Sequence, residues 1–149
     1  MIAVDTNILV YAHREDSEFH TAALAALTDL AENNRRWAIP WPCIHGFLAI
    51  STHPRIYSPP TPLETACAAI DVWLSTPSCQ PIGEGPGYFQ ELTRLAVAGK
   101  IKGPMIHDAR IAAICIHHAV KELWTADRDF SRYRSFKIVN PLPISQSRP

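Results

Sequence analysis

A chain of 149 residues has the length of one domain, enough to bury a full core without metal or disulfide staples. Apolar residues make up 47% and charged residues 19%, which excludes a disordered chain. Fourteen Lys and Arg balance fourteen Asp and Glu, so nothing global draws the chain to nucleic acid. Any RNA-binding surface has to be local: Arg35 with Arg36, Lys100 with Lys102, or Arg128, Arg132, Arg134 and Lys137.

In chain order, Ile2 to Val4 reads as a short buried strand that stops at Asp5. Ile8 to Ala12 is helical or turn-like, and Phe19 to Leu30 carries an apolar helix face at 19, 23, 24, 27 and 30. Trp37 to Ile39 is a second strand. A helix from Cys43 to about Thr52 follows, with Pro42 in its first turn and His53-Pro54 ending it. After the proline-rich loop Ser58 to Pro62, Thr61-Pro62-Leu63-Glu64 predicts a capped helix to about Leu74, with Thr61 as N-cap and Glu64 closing a capping box. Cys79 to Ile82 is a third strand. Tyr88 to Ala98 is a helix stopped by Gly99, His107 to His118 another helix, and Glu122 to Thr125 and Phe136 to Val139 are the last strands. Short apolar strands alternating with helices predict an α/β domain with a parallel sheet covered on both faces. The domain is expected over residues 1–143, with a C-terminal tail at 144–149.

No two of Cys43, Cys67, Cys79 and Cys115 form a CxxC pair, and none stands at zinc-ligand spacing from a histidine. Cys43, Cys67 and Cys115 lie in apolar stretches and are expected to be buried thiols of a reducing cytosol. No basic n-region with a long apolar stretch opens the chain, and no apolar run is long enough for a membrane span, so a cytoplasmic location without membrane contact is expected.

The chemistry lies in the carboxylates. Asp5 follows the first strand, Asp127 and Asp129 follow the fourth, and Asp108 opens an apolar helix. In an open parallel sheet, ligands bind at the carboxyl ends of the strands. If the first and fourth strands are neighbours, these acids meet in one cleft. Such a cluster is stable in its ionised form mainly around a cation, and hard oxygen donors favour Mg²⁺ or Mn²⁺ over zinc. Taken singly, each acid also has a structural use: Asp5 as a turn or helix cap, Asp108 as a first-turn acid on a helix dipole, Asp127 and Asp129 as loop residues. Their joint placement weakens the structural reading and makes a metal-dependent phosphodiesterase a candidate.

Met-Ile-Ala-Val-Asp-Thr-Asn-Ile-Leu-Val-Tyr-Ala at the start resembles the opening of PIN-domain proteins. Ile-His-Asp-Ala-Arg-Ile-Ala-Ala-Ile, 106 to 114, and Leu-Trp-Thr-Ala-Asp-Arg-Asp-Phe, 123 to 130, resemble their later acidic segments. Ile39-Pro40-Trp41-Pro42, Phe47, Ser51-Thr52-His53-Pro54-Arg55 and Ile138-Val139-Asn140-Pro141-Leu142 are similar to a subgroup of VapC-type toxins. The resemblance spans nearly the whole chain. It implies a three-layer α/β/α sandwich with a mainly parallel central sheet. It also implies Mg²⁺- or Mn²⁺-dependent cleavage of RNA, an antitoxin partner, and a toxin homodimer. On these matches Asp5, Asp108 and Asp127 are the metal-binding acids, Asp129 an assisting acid, and Asn7 and Thr125 the polar residues that orient them.

One family position is not met. A Glu is expected just before the Phe of the helix after the second strand, and the residue there is Gly46. Glycine offers no ligand, and inside a helix it costs roughly 1 kcal/mol relative to Ala. Three explanations stand: His45 substitutes, although a neighbour on a helix points about 100° away; the site has drifted to a weak or inactive form, leaving an antitoxin- or RNA-binding module; or Gly46 is an inactivating change of Glu, the one preferred. Of the histidines, His107 alone is expected near the site, and His117-His118 suits a helix end. Arg110, Lys102 and Arg128 are candidates for RNA phosphates, and Trp41 and Trp124 for core aromatics.

Overall fold

The computed structural model describes residues 1–143, and the tail expected at 144–149 lies outside them. Five strands form one sheet: β1 (Ile2–Val4), β2 (Trp37–Pro40), β3 (Cys79–Ile82), β4 (Glu122–Trp124) and β5 (Lys137–Val139). Their order is β3-β2-β1-β4-β5 and every pairing is parallel. Ile2 registers with Trp37 on one side and with Glu122 on the other.

Among the described residues six α-helices join the strands: α1 (Thr6–His13), α2 (His20–Glu32), α3 (Trp41–Ser51), α4 (Leu63–Ser75), α5 (Tyr88–Ala98) and α6 (Ile106–His117). Two short 3-10 turns, Gly103–Met105 and Arg128–Arg132, were not foreseen. The chain steps outward from β1 to β2 to β3, then crosses back to β4. Because such crossovers are right-handed, α1 to α4 cover one face and α5 with α6 the other, giving three layers. Among the described residues, α1 packs on α2 and α3, α3 on α4, and α5 on α6. The strand order reverses between β1 and β4, so a crevice opens at their carboxyl ends. The core comprises the buried strand residues together with Leu9, Leu30, Phe47, Ile114 and Phe130. No helix among the described residues is long and apolar enough to cross a membrane.

The expected capping box at Thr61 does not form. The N-cap of α4 is Pro62 without a side-chain bond. The Thr61 hydroxyl is engaged elsewhere, accepting from Arg14 at 3.2 Å and pairing with His13 Nε2 at 3.2 Å. Tertiary partners outcompeted the local cap. Cys67, expected inside, is exposed, and Cys79 joins Cys43 and Cys115 as a buried thiol. Trp124 is core, but Trp41, expected in the core, keeps 41% of its surface exposed. It is the first residue of α3 and packs along Gly83, where an added Cβ would come within 2.9 Å of its ring.

His13 lies edge-on to the buried Phe47, ring centroids 5.4 Å apart. Burial, then Arg14 and His20, lower its pKa from the usual 6.5. The folded state therefore prefers neutral His13, and the unfolded chain binds the proton more tightly. That contribution to stability is complete above pH 6.5 and is lost as pH falls through the depressed folded value. His13→Gln is expected to flatten the decline in melting temperature as pH falls from 6.5 through the depressed folded value. An unchanged slope in thermal melts would assign that decline to other groups.

Candidate metal centre

Asp5 sits where β1 gives way to α1. It is the N-cap of α1, and its side chain accepts from Thr6 N at 2.7 Å. The capping role and the expected place in the cleft therefore coexist. Only 5% of Asp5 is exposed. Its Oδ2 accepts from Thr125 Oγ1 at 2.7 Å and from Asn7 Nδ2 at 3.4 Å, and its Oδ1 from the Cys43 thiol at 3.4 Å. Burial raises its pKa, the Thr125, Thr6 and Cys43 bonds oppose the rise, and the charge of Asp127 adds to it.

Thr125 ties two segments together. Its hydroxyl donates to Asp5 and accepts from Asp127 N at 3.0 Å. Asn7 reaches across as well: its Oδ1 accepts from Ala126 N at 3.1 Å. Asp127 then caps the turn that follows, accepting from Asp129 N at 2.9 Å.

Asp108, in the first turn of α6, faces this turn. One carboxylate oxygen each from Asp108, Asp127 and Asp129 lies within 4.8 Å of the others. Burial raises the Asp108 pKa, followed by the charges of Asp127, Asp5 and Asp129, with Arg132 opposing. Three hard oxygen donors converging under mutual repulsion fit a hard divalent cation.

Gly46, the position of the missing acid, lies on α3 against α1. A Cβ there would stand 2.6 Å from Thr6 Oγ1 and 3.1 Å from Thr6 Cγ2. The Thr6 hydroxyl donates instead to Cys43 O at 3.2 Å. The glycine thus has a compensation that sequence reasoning did not find: it lets Thr6 close onto α3. His45 does not fill the gap. It is exposed, beside Trp41 with ring centroids 6.3 Å apart, and is not in the carboxylate group.

His107, expected beside the site, is exposed. Arg110 is committed to Glu84 at 2.7 Å, while Lys102 and Arg128 are exposed. Sequence reasoning also missed Tyr133, which follows the Arg128–Arg132 turn. It is 6% exposed, and its hydroxyl is buried without a hydrogen-bond partner among the described residues. The charge of Asp108 helps raise its pKa, behind burial as the largest cause.

A parallel sheet whose switch point gathers carboxylates defines an α/β protein with a candidate divalent-cation centre. The chain belongs to the PIN domain family, whose model matches residues 2–135. It is similar to ribonuclease VapC48 of Mycobacterium tuberculosis, 29% identical over 137 residues, covering 92% of this chain and 94% of that protein. Ribonuclease VapC43 of the same organism is 32% identical over 142 residues, covering 95% and 96%. Among solved structures, VapBC2 from Rickettsia felis, bound to a DNA fragment from its promoter, matches with a TM-score of 0.65 at 23% identity, covering 94% of this chain and 98% of that one. VapC20 of Mycobacterium tuberculosis, a sarcin-ricin loop cleaving toxin, matches with a TM-score of 0.63 at 16% identity, covering 89% and 94%.

Proposed function

We propose that this chain is a metal-dependent endoribonuclease, the toxin of a toxin–antitoxin pair, with a centre reduced by Gly46. The observation that carries the proposal is the convergence of Asp108, Asp127 and Asp129 at the sheet's switch point, in a chain whose relatives are named ribonucleases. Asp5, Asp108 and Asp127 hold the cation and Asp129 assists. Asn7 and Thr125 fix Asp5 and the loop bearing Asp127. When bound, Mg²⁺ or Mn²⁺ supplies Lewis acidity and water activation for attack on an RNA phosphodiester. The exposed Arg128, Arg132 and Arg134 are the candidates for neutralising RNA phosphates.

A cognate antitoxin and a second toxin copy are the protein partners. The solved neighbour VapBC2 is itself a complex on promoter DNA, and α5 leaves Phe89 and Val97 68% and 74% exposed. The test is incubation of a labelled RNA panel with purified chain and Mn²⁺, with EDTA as the control. Cleavage that EDTA stops is expected. RNA binding without cleavage would move a binding-module role ahead.

A further inference from the structure

The neutral balance of the chain hides a split along its strands. The carboxylates Asp5 and Asp127 lie past the carboxyl ends of β1 and β4, and Asp108 and Asp129 group with Asp127. The amino ends begin from cations: Arg36 precedes β2, Lys121 precedes β4 and Lys137 opens β5. β4 is three residues long, so at ~3.3 Å per residue the two ends of the sheet stand on the order of 10 Å apart.

At the amino end a cavity of about 560 Å³ opens between the end of α6 and the starts of β4 and β5. Ile116, Val120 and Phe136 give it an apolar lining, Lys121, Arg134 and Lys137 give it charge, and no Asp or Glu among the described residues lines it. The three cations are exposed, and none enters an ion pair among the described residues. Glu122 stands in register with Lys137, and even a neutralised Lys137 leaves two cations unopposed. The carboxyl end of α6 adds roughly half a negative charge, which the full cations outweigh. Like charges gathered in this way repel one another, and a chain of phosphates relieves them. A second cavity, of about 440 Å³, adjoins the first through Arg134, which lines both. It runs beside Gly99 at the end of α5 and along Arg132, which closes the turn that carries Asp129. The two cavities together lead from the carboxylate cleft to the amino edge of the sheet, with a cation at each stage.

We propose that this path is a phosphate-binding exosite, in which single-stranded RNA flanking the cleaved bond runs past Arg132 and Arg134 to Lys121 and Lys137. The assignment rests on the ribonuclease reading above and adds a length requirement to it, because an RNA too short to reach the amino edge forgoes those contacts. Single-stranded RNA follows from the continuity with the cleft and from the apolar lining beside the cations, which can meet unpaired bases.

The test is fluorescence anisotropy of labelled single-stranded RNA in EDTA, so that cleavage plays no part. RNAs of about 16 and about 4 nucleotides, which bracket common single-strand sites, are titrated with the parent chain, with Arg134→Ala and with the double variant Lys121→Ala, Lys137→Ala. Arg55→Ala, an exposed cation that lines neither cavity, is the control. The parent is expected to bind the longer RNA at least about tenfold more tightly than the shorter. Both test variants are expected to lose about tenfold in affinity for the longer RNA, and the log–log salt slope to flatten by about 0.7 for each cation removed. Arg55→Ala is expected to match the parent, and all variants to melt like it, since the side chains are exposed. Equal affinity for the two RNAs, a parent-like salt slope in either test variant, or an equal loss at Arg55→Ala would overturn the exosite and leave the ribonuclease reading standing. Tighter binding of duplex DNA of the longer length would overturn the choice of RNA. A chain that binds RNA in this way and cleaves none would remove the ribonuclease reading and keep the exosite.

Discussion

Thr125→Val is expected to destabilise the protein and disable its centre together. Valine keeps the shape and deletes the hydroxyl. Asp5, almost fully buried, loses its shortest side-chain bond, and Asp127 N loses its acceptor. A hydrogen bond to a charged group contributes about 1.5–3 kcal/mol, and a partner left unsatisfied in the interior adds to the loss. The expected cost is about 2–3 kcal/mol, or roughly 5–10 °C in Tm for a chain of this size. Cleavage is expected to fall about 10–100-fold, the usual effect of removing a group that orients a metal site. Thr125→Ser, which keeps the hydroxyl, is expected to restore most of both. Denaturant melts with cleavage assays on the same preparations check this. A Val variant as stable and active as the parent would show that the Asp5–Thr125–Asp127 chain of bonds carries no weight.

The second large effect is expected at Gly46. Restoring an acid by Gly46→Glu places a Cβ 2.6 Å from Thr6 Oγ1, so Thr6 has to turn and release Cys43 O. Overpacking of this kind costs about 1–3 kcal/mol, only partly offset by the roughly 1 kcal/mol that glycine forfeits inside a helix. Gly46→Glu alone is therefore expected to be less stable than the parent. Combined with Thr6→Ala, which removes both clashing atoms, it is expected to be more stable than the sum of the single changes, by about 1–2 kcal/mol of coupling. Strict additivity in denaturant melts would mean that Thr6 is not what holds position 46 to glycine. The close fit also bears on why the acid is missing, because Thr6 and Gly46 are matched as a pair.

The framework was legible because it is written locally. Ile2 to Val4, Trp37 to Ile39 and Leu123-Trp124 are continuous apolar runs, as strands buried on both faces require, and Asp5 and Asp127 are marked by their position just after such runs. What could not be read depends on contacts between residues distant in the chain. Thr61 carries a sound capping signal, but His13 and Arg14, about 47 positions earlier in sequence, claim its hydroxyl. Thr6 and Gly46 are 40 residues apart, and nothing near either tells of the other. The Cys43 thiol is expected from sequence only to be buried, and its contact with Asp5 follows from the way α3 lies against the end of β1. Tyr133 is one aromatic in a basic stretch, and nothing beside it in sequence tells that its hydroxyl is buried without a partner among the described residues.

The most direct test of the central claim is RNA cleavage in Mn²⁺ by the parent chain and by Asp127→Asn, assayed side by side at equal folded concentration. The account predicts cleavage by the parent that EDTA stops and that falls at least about 100-fold in the variant, since Asp127 is placed in the centre itself. Equal cleavage by the two proteins would contradict it, because the activity would then arise somewhere other than the carboxylates of this cleft.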